Sequence, residues 1–213
     1  MKTTLYLIRH SEKLNVHVSC PHAQFDRIQP LSVVGEERAA KLLNVPELRH
    51  ADAAYASPFA RTISTLRYLF EADAVPLELD ERLRELEFGG NRDLPRPKPG
   101  EGPGGKPGPG GPPRMDPNDI RVRQWLDLDL ADVGGESVRQ CRARMTEAIR
   151  EIAEANPGKT VLIGSHGAAI AAYLGGVING VDDDFVRTIT QPDVFRLDWE
   201  DGKVQAVTRV PCL

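Results

Sequence analysis

Cysteine is scarce and odd in number: Cys20, Cys141 and Cys212 are the only three in 213 residues, and they lie far apart. Three separated thiols do not form a disulfide framework; they read as reduced thiols in a cytoplasmic protein. No stretch approaches the roughly 20 consecutive apolar residues that cross a bilayer, so no membrane partner is expected. The first apolar run, Leu5-Tyr6-Leu7-Ile8, is too short for a signal-peptide core and is ended at once by Arg9. A basic surplus is missing too: 27 Lys and Arg against 31 Asp and Glu give a net charge of −4 and a pI near 5.8. With no excess of cations to displace counterions, nucleic acid is not an expected partner. A protein of this balance that handles an anion must concentrate positive charge locally.

What is present is an ordinary mixture for a folded chain, 40% apolar and 27% charged residues, in a length that suits one domain with a full core. Residues 3–9 form a short apolar run without helical period, which predicts a buried strand. Residues 32–43 predict a helix with Ser32 as N-cap and Glu36 and Glu37 in its early turns. A weak strand at 51–56, a helix at 59–72 with a broad apolar face, and a short strand at 76–79 follow. Further along come a short helix at 118–127, a long one at 136–155 stopped by Asn156-Pro157-Gly158, and a second strongly buried strand at 160–164. A small-residue helix at 168–174 can pack closely on a sheet. Two strands, 194–199 and 203–210, flank Glu200-Asp201-Gly202 as a hairpin. Strands alternating with helices predict a three-layer α/β/α sandwich around a mostly parallel central sheet, one domain over residues 1–213.

One segment breaks the pattern. From 95 to 113 almost every residue is proline or glycine, with no three-residue period, so collagen is excluded. Such a run buries no apolar surface, and residues 95–117 are expected to be a loop insertion within the one domain. It reads as an inert insertion, a lid, or a docking segment in which Pro95-Arg96-Pro97-Lys98-Pro99 suits polyproline II recognition.

The chemistry-bearing residues gather at strand ends. The first strand runs into Arg9-His10 and the strand at 160–164 into Ser165-His166-Gly167. Ligands of open α/β sheets bind at carboxyl ends of strands, so two histidines and an arginine can face one pocket. Ser57-Pro58 precedes the helix at 59–72, and Arg61 lies in its first turn. A cation there opposes the helix dipole, which makes sense if it serves an anion.

Arg9-His10, Ser57-Pro58-Phe59-Ala60-Arg61-Thr62, Leu83-Arg84-Glu85 with Gly89, and Ser165-His166-Gly167, in this order, together resemble the histidine phosphatase superfamily, the phosphoglycerate mutase-like group with its phosphatase relatives. Each is weak alone; the ordered set covers most of the chain outside the Pro/Gly run. The resemblance implies a phosphoglycerate mutase-like fold and a phosphoric monoester hydrolase of the histidine acid phosphatase type. It implies that His10 attacks phosphorus and becomes phosphohistidine, that Arg9, Arg61 and His166 bind the phosphoryl oxygens together with Gly167 and Ser11, and that Glu85 protonates the leaving alcohol. No metal or other cofactor is implied. Small phosphorylated substrates and inorganic phosphate are the expected partners, and a monomer or homodimer the expected state.

Some positions depart from the family pattern. Ser11 stands where glycine is common; its hydroxyl either touches the phosphate or serves a turn. Mutases carry asparagine at the position of Val16, and Asn15 is one residue out of register. Gly90-Asn91-Arg92 replaces the Trp-Glu-Gly that often follows the acid. Glu81 and Glu87 flank Glu85, which is preferred on family spacing. His17, Cys20 and His22 lack a fourth ligand and regular spacing for a metal, and read as a surface loop near the pocket. Gly134-Gly135-Glu136-Ser137 resembles the family's helix-opening Gly-Glu-Ser, with Ser137 as a cap. The leading expectation is a metal-independent phosphomonoesterase. The alternatives are a phosphomutase, disfavoured by Val16, and a catalytically weak phosphate- or phosphoprotein-binding module.

Overall fold

A computed structural model describes residues 1–15, 22–89 and 120–212. Val16, His17, Cys20 and the insertion expected at 95–117 lie outside the described residues, as does the side chain of His22.

The elements run β1 (Thr3–Arg9), α1 (His22–Ile28), α2 (Val33–Lys41), β2 (Ala53–Ala56), α3 (Ala60–Ala72), β3 (Leu77–Leu79), α4 (Ile120–Leu126), α5 (Val138–Ala155), β4 (Thr160–Ser165), α6 (Gly167–Leu174), α7 (Asp183–Thr188), β5 (Asp193–Glu200) and β6 (Lys203–Val210). The strands form one six-stranded sheet in the order β3-β2-β4-β1-β5-β6. Its first four strands are parallel, and β5 and β6 are antiparallel additions beside β1. The sheet is therefore mostly parallel, as expected, with an antiparallel flank where the predicted hairpin closes through Asp201 and Gly202, both at positive φ.

Alternation along β1 creates the two outer layers. Leu5 and Leu7 point to the face covered by α5 and α6, where they meet Met145, Ile149, Val161, Ile163 and Ile170. Tyr6 and Ile8 point to the opposite face, against Leu66 and Leu69 of α3 with Leu162 and Ala54. Because both faces of the sheet are covered, its central strands read as continuous apolar runs rather than alternating ones. Ser32 and Ser137 cap α2 and α5 as expected; Ser137 forms a reciprocal capping box with Gln140. Two short helices, α1 and α7, were not anticipated.

Register places the chemistry. β1 pairs with β4 through Ile8 and Gly164 and through Arg9 and Ser165, and the amide of Ser57, just past β2, donates to Gly164 O at 2.9 Å. Three neighbouring parallel strands thus end at one level, and His10, His166 and Ser57 leave the sheet side by side.

Candidate active site

His10 follows β1 directly, its amide donating to Ser165 O at 3.0 Å, and the residue is buried. Its Nδ1 lies 2.7 Å from the carbonyl oxygen of Ser11. A carbonyl can only accept, so Nδ1 carries the proton and Nε2 keeps its lone pair. The turn that supplies this carbonyl is held from α3: the Ser11 amide donates to Thr65 Oγ1 at 2.9 Å, and that hydroxyl donates to Arg61 O at 2.7 Å. Burial, then the charges of Arg61 and Arg9, push the imidazole well below its ordinary value of 6.5, so it stays neutral near pH 7.

His166 meets His10 edge to face, with ring centroids 5.2 Å apart and planes at 65°. Its Nδ1 is 3.4 Å from Arg61 Nη2 and its Nε2 is 2.8 Å from Ser57 Oγ. A guanidinium only donates, so Nδ1 accepts and the Nε2–H donates to Ser57. Burial, then His10 and Arg61, lower its pKa far below 6.5 as well.

Arg61 is buried in the first turn of α3, stacked over the Phe59 ring with Cζ 4.7 Å from the centroid. Its terminal nitrogens donate to the backbone carbonyl of Asp26 on α1 and approach that residue's carboxylate at 3.3 and 3.4 Å. Arg9 is gripped at Nη1 by the carbonyls of Ile189 and Thr190. Burial lowers its pKa, while Glu85 and Asp193 favour its charged form. Its guanidinium lies flat over the start of α6, where a Cβ on Gly167 would stand 2.9 Å from Nε and 3.0 Å from Cζ. Gly167 is therefore the floor under Arg9.

Three polar atoms of this cluster, Arg9 Nε, Ser11 Oγ and Arg61 Nε, are buried without a hydrogen-bond partner among the described residues. Leaving such a group unpaired costs about 1–3 kcal/mol, and three around one imidazole mark donors suited to the oxygens of an anion.

Glu85 supplies the carboxylate. Its Oε1 accepts from the Leu86 amide at 2.9 Å and from the Ala169 amide, in the first turn of α6, at 3.0 Å. The carboxylate is thereby fixed at the end of the helix that begins at Gly167, and it lies close enough to Arg9 to act on its charge. Glu81 points elsewhere, paired with Arg27 and exposed. The backbone of Glu87 is engaged by Glu136, whose amide donates to Glu87 O at 2.7 Å and whose Oε1 accepts from Glu87 N at 3.1 Å.

The structure thus brings Arg9, His10, Ser11, Arg61, Glu85, His166 and Gly167 together. Sequence reasoning missed Asp26, Ser57 and Thr65 as direct partners of these residues, and missed the grip of Arg144 and Glu136 on the Glu85 loop. Thr65 carried a faint signal, a polar residue one turn beyond Arg61 on the same helix face. Asp26 carried none, because its element was read as loop. Among the described residues no cluster of His, Cys, Asp or Glu has the makings of a metal site, and no helix is long and apolar enough to cross a membrane.

A doubly covered, mostly parallel sheet with two neutral histidines and Arg9 at its strand ends, joined by Arg61 from the first turn of α3, matches the histidine phosphatase class. The chain belongs to the histidine phosphatase superfamily (branch 1), whose family model matches residues 5–101 and 114–210. A comparison with curated sequences finds no significant match. Solved structures share the fold at low identity. A mycobacterial glucosyl-3-phosphoglycerate phosphatase is 18% identical with TM-score 0.68, covering 100% of this chain and 99% of its own. YhfR of Bacillus stearothermophilus is 22% identical with TM-score 0.64, covering 96% and 95%. An Entamoeba histolytica phosphoserine phosphatase in complex with 3-phosphoglyceric acid is 18% identical with TM-score 0.65, covering 98% and 97%.

Proposed function

We propose that the protein is a metal-independent phosphomonoesterase that hydrolyses a small phosphorylated metabolite through a phosphohistidine on His10. The observation that carries this reading is the His10 tautomer. Ser11 O takes the Nδ1 proton at 2.7 Å, which leaves Nε2 a free lone pair inside a buried, cation-lined site.

In the first step Nε2 attacks phosphorus and the bond from phosphorus to the ester oxygen breaks. The proton of the Glu85 carboxyl passes to the departing oxygen, so an alcohol leaves. The Oε1 of Glu85 is held by two amides, which leaves Oε2 to carry that proton. Arg9, Arg61 and Ser11 place positive charge and hydrogen-bond donors on the equatorial oxygens, where charge is spread in the transition state. His166 holds Arg61 in line and closes the other side of the His10 ring. In the second step water attacks phosphorus and gives its proton to the Glu85 carboxylate. The phosphorus–nitrogen bond breaks, its electron pair returns to Nε2, and phosphate departs.

The substrate class is supported by the relatives of the same fold, which act on glucosyl-3-phosphoglycerate and on phosphoserine. The test is turnover of para-nitrophenyl phosphate in excess EDTA beside His10→Ala, with acid-labile phosphate on the protein as second readout. Turnover that survives EDTA and vanishes with His10 is expected. Equal turnover in the variant would overturn the phosphohistidine, and no turnover in the native protein while phosphate still binds would overturn the enzyme in favour of a binding module.

A further inference from the structure

The segment from Arg82 to Phe88 carries Glu85 but, apart from the end of a single 3₁₀ turn, has no regular structure. Loops usually tolerate movement, yet this one is fastened at nearly every backbone oxygen. Ser165 Oγ donates to Leu83 O at 2.8 Å. The carbonyls of Arg82, Arg84 and Glu85 are taken by one side chain from α5. Arg144 Nη1 donates to Arg82 O at 2.6 Å and Arg84 O at 2.8 Å, and its Nη2 to Glu85 O at 3.0 Å. Its Nε lies 3.0 and 3.2 Å from the Glu136 carboxylate oxygens, and Nη2 contacts the same carboxylate. All five guanidinium N–H groups are thus used on three loop carbonyls and one carboxylate, and Nη2 also lies 3.1 Å from Cys141 Sγ.

Glu136 completes the frame. It accepts from the Glu87 amide at 3.1 Å and approaches Arg84 Nη2 at 3.5 Å. Arg144 holds its carboxyl below the usual range, against the effect of burial. At the far side of the loop, Gly89 at φ +68° and Gly135 lie backbone against backbone; a Cβ on either would come within 2.7 Å of the other's amide nitrogen. Among the described residues neither Arg144 nor Glu136 has a hydrogen bond or ion pair to His10, Arg9 or Arg61, though the charge of Arg144 reaches His166. Their contacts converge on the residues either side of Glu85.

We propose that Arg144, braced by Glu136, is a positioning residue that sets the Glu85 carboxyl at proton-transfer distance from the leaving oxygen. This rests on the reading of Glu85 as the general acid. A merely structural pair would, when disturbed, harm all substrates alike. A pair that aims the acid harms most the substrates whose leaving group needs the proton.

The experiment compares para-nitrophenyl phosphate, whose leaving phenolate departs without help, with an alkyl phosphate, whose alkoxide does not. Arg144→Lys keeps the charge against Glu136 but loses the planar fork. Its kcat/KM, which reports phosphohistidine formation and not the hydrolysis step that both esters share, is expected to fall about 30-fold or more on the alkyl phosphate and less than about threefold on the aryl ester, the pattern expected of Glu85→Gln. Combined with Glu85→Gln, Arg144→Lys should add little, because both remove one function. Glu136→Gln, which leaves the three carbonyl contacts in place, should show the same selectivity at smaller size, and it serves if Arg144→Lys does not fold. Equal losses on both esters with full additivity would overturn the positioning role and leave the phosphohistidine reading intact. Failure of that reading is seen separately, as turnover indifferent to His10→Ala. If Glu85→Gln itself lowers kcat/KM equally on both esters, the acid is elsewhere and the inference falls with it.

Discussion

Asp26 sets the terms on which an anion reaches Arg61. Its carboxylate and carbonyl occupy the terminal nitrogens of the one buried arginine of α3, and Lys13 stands 3.7 Å from the same carboxylate. A phosphoryl group arriving there meets a negative charge already seated. Asp26→Asn should therefore tighten competitive inhibition by inorganic phosphate about tenfold, since close charges in a partly buried site interact by more than 1 kcal/mol. Weaker inhibition would mean that Asp26 serves to aim Arg61. The two imidazoles give a second expectation. Both are held neutral in the fold with pKa values well below 6.5, so in acid the unfolded chain binds more protons than the folded one. Stability is then full above about pH 6.5 and is lost progressively as pH falls below it, by up to about 1.4 kcal/mol per pH unit for each ring. Melting temperatures measured from about pH 7.5 to 5.5 should decline, and less steeply with His10→Asn and His166→Asn together. At this scale the sequence was informative where a residue sits at the end of a strand or in the first turn of a helix, as His10, His166 and Arg61 do. It was silent on Asp26 and Arg144, whose partners lie 35 and about 60 residues away.

The start of α6 does two jobs at once. Its first residue lies under Arg9, and the amide of its third takes the Glu85 carboxylate. Gly167→Ala adds one methyl against Arg9 Nε. Alanine suits a helix, so the melting temperature should stay within about 3 °C of the native value. The arginine must give way, however, and a shift approaching 1 Å can cost about a hundredfold in kcat. A large drop in melting temperature with unchanged kcat would contradict this. Elements long enough to show a period were legible: β1, β4, α3 and α5 stand within two residues of their expected bounds. The misses were short. α1 has only seven residues, and the stretch around it was read as loop. α7 did carry signals, an Asp182 cap on the Phe185 amide, two acids in the first turn and Arg187 in the last, but six residues are too few for periodicity to register.

Across the whole molecule, the sandwich was legible because β1 and β4 are apolar on both faces, which only a doubly covered sheet requires. The strand order was not, since nothing in the composition says that β4 inserts between β2 and β1. The order makes a prediction for amide hydrogen exchange. β4 and β1 are flanked on both sides, while β3 and β6 each lack a neighbour on one side among the described residues. Exchange should be slowest at Leu5–Ile8 and Val161–Ile163, and fastest among strands in β3 and β6; protection that is highest at the edges would contradict the topology. The same order has a consequence for biosynthesis. Among the described residues β1 pairs with 160–165 and 193–199 and with no earlier strand. A chain emerging from the ribosome at about 5–20 residues per second must therefore hold Leu5-Tyr6-Leu7-Ile8 unpaired for on the order of ten seconds before its first partner is made. Over that interval the apolar run Leu5-Tyr6-Leu7-Ile8 is an exposed edge, and it is the natural client of a chaperone that shields nascent apolar segments.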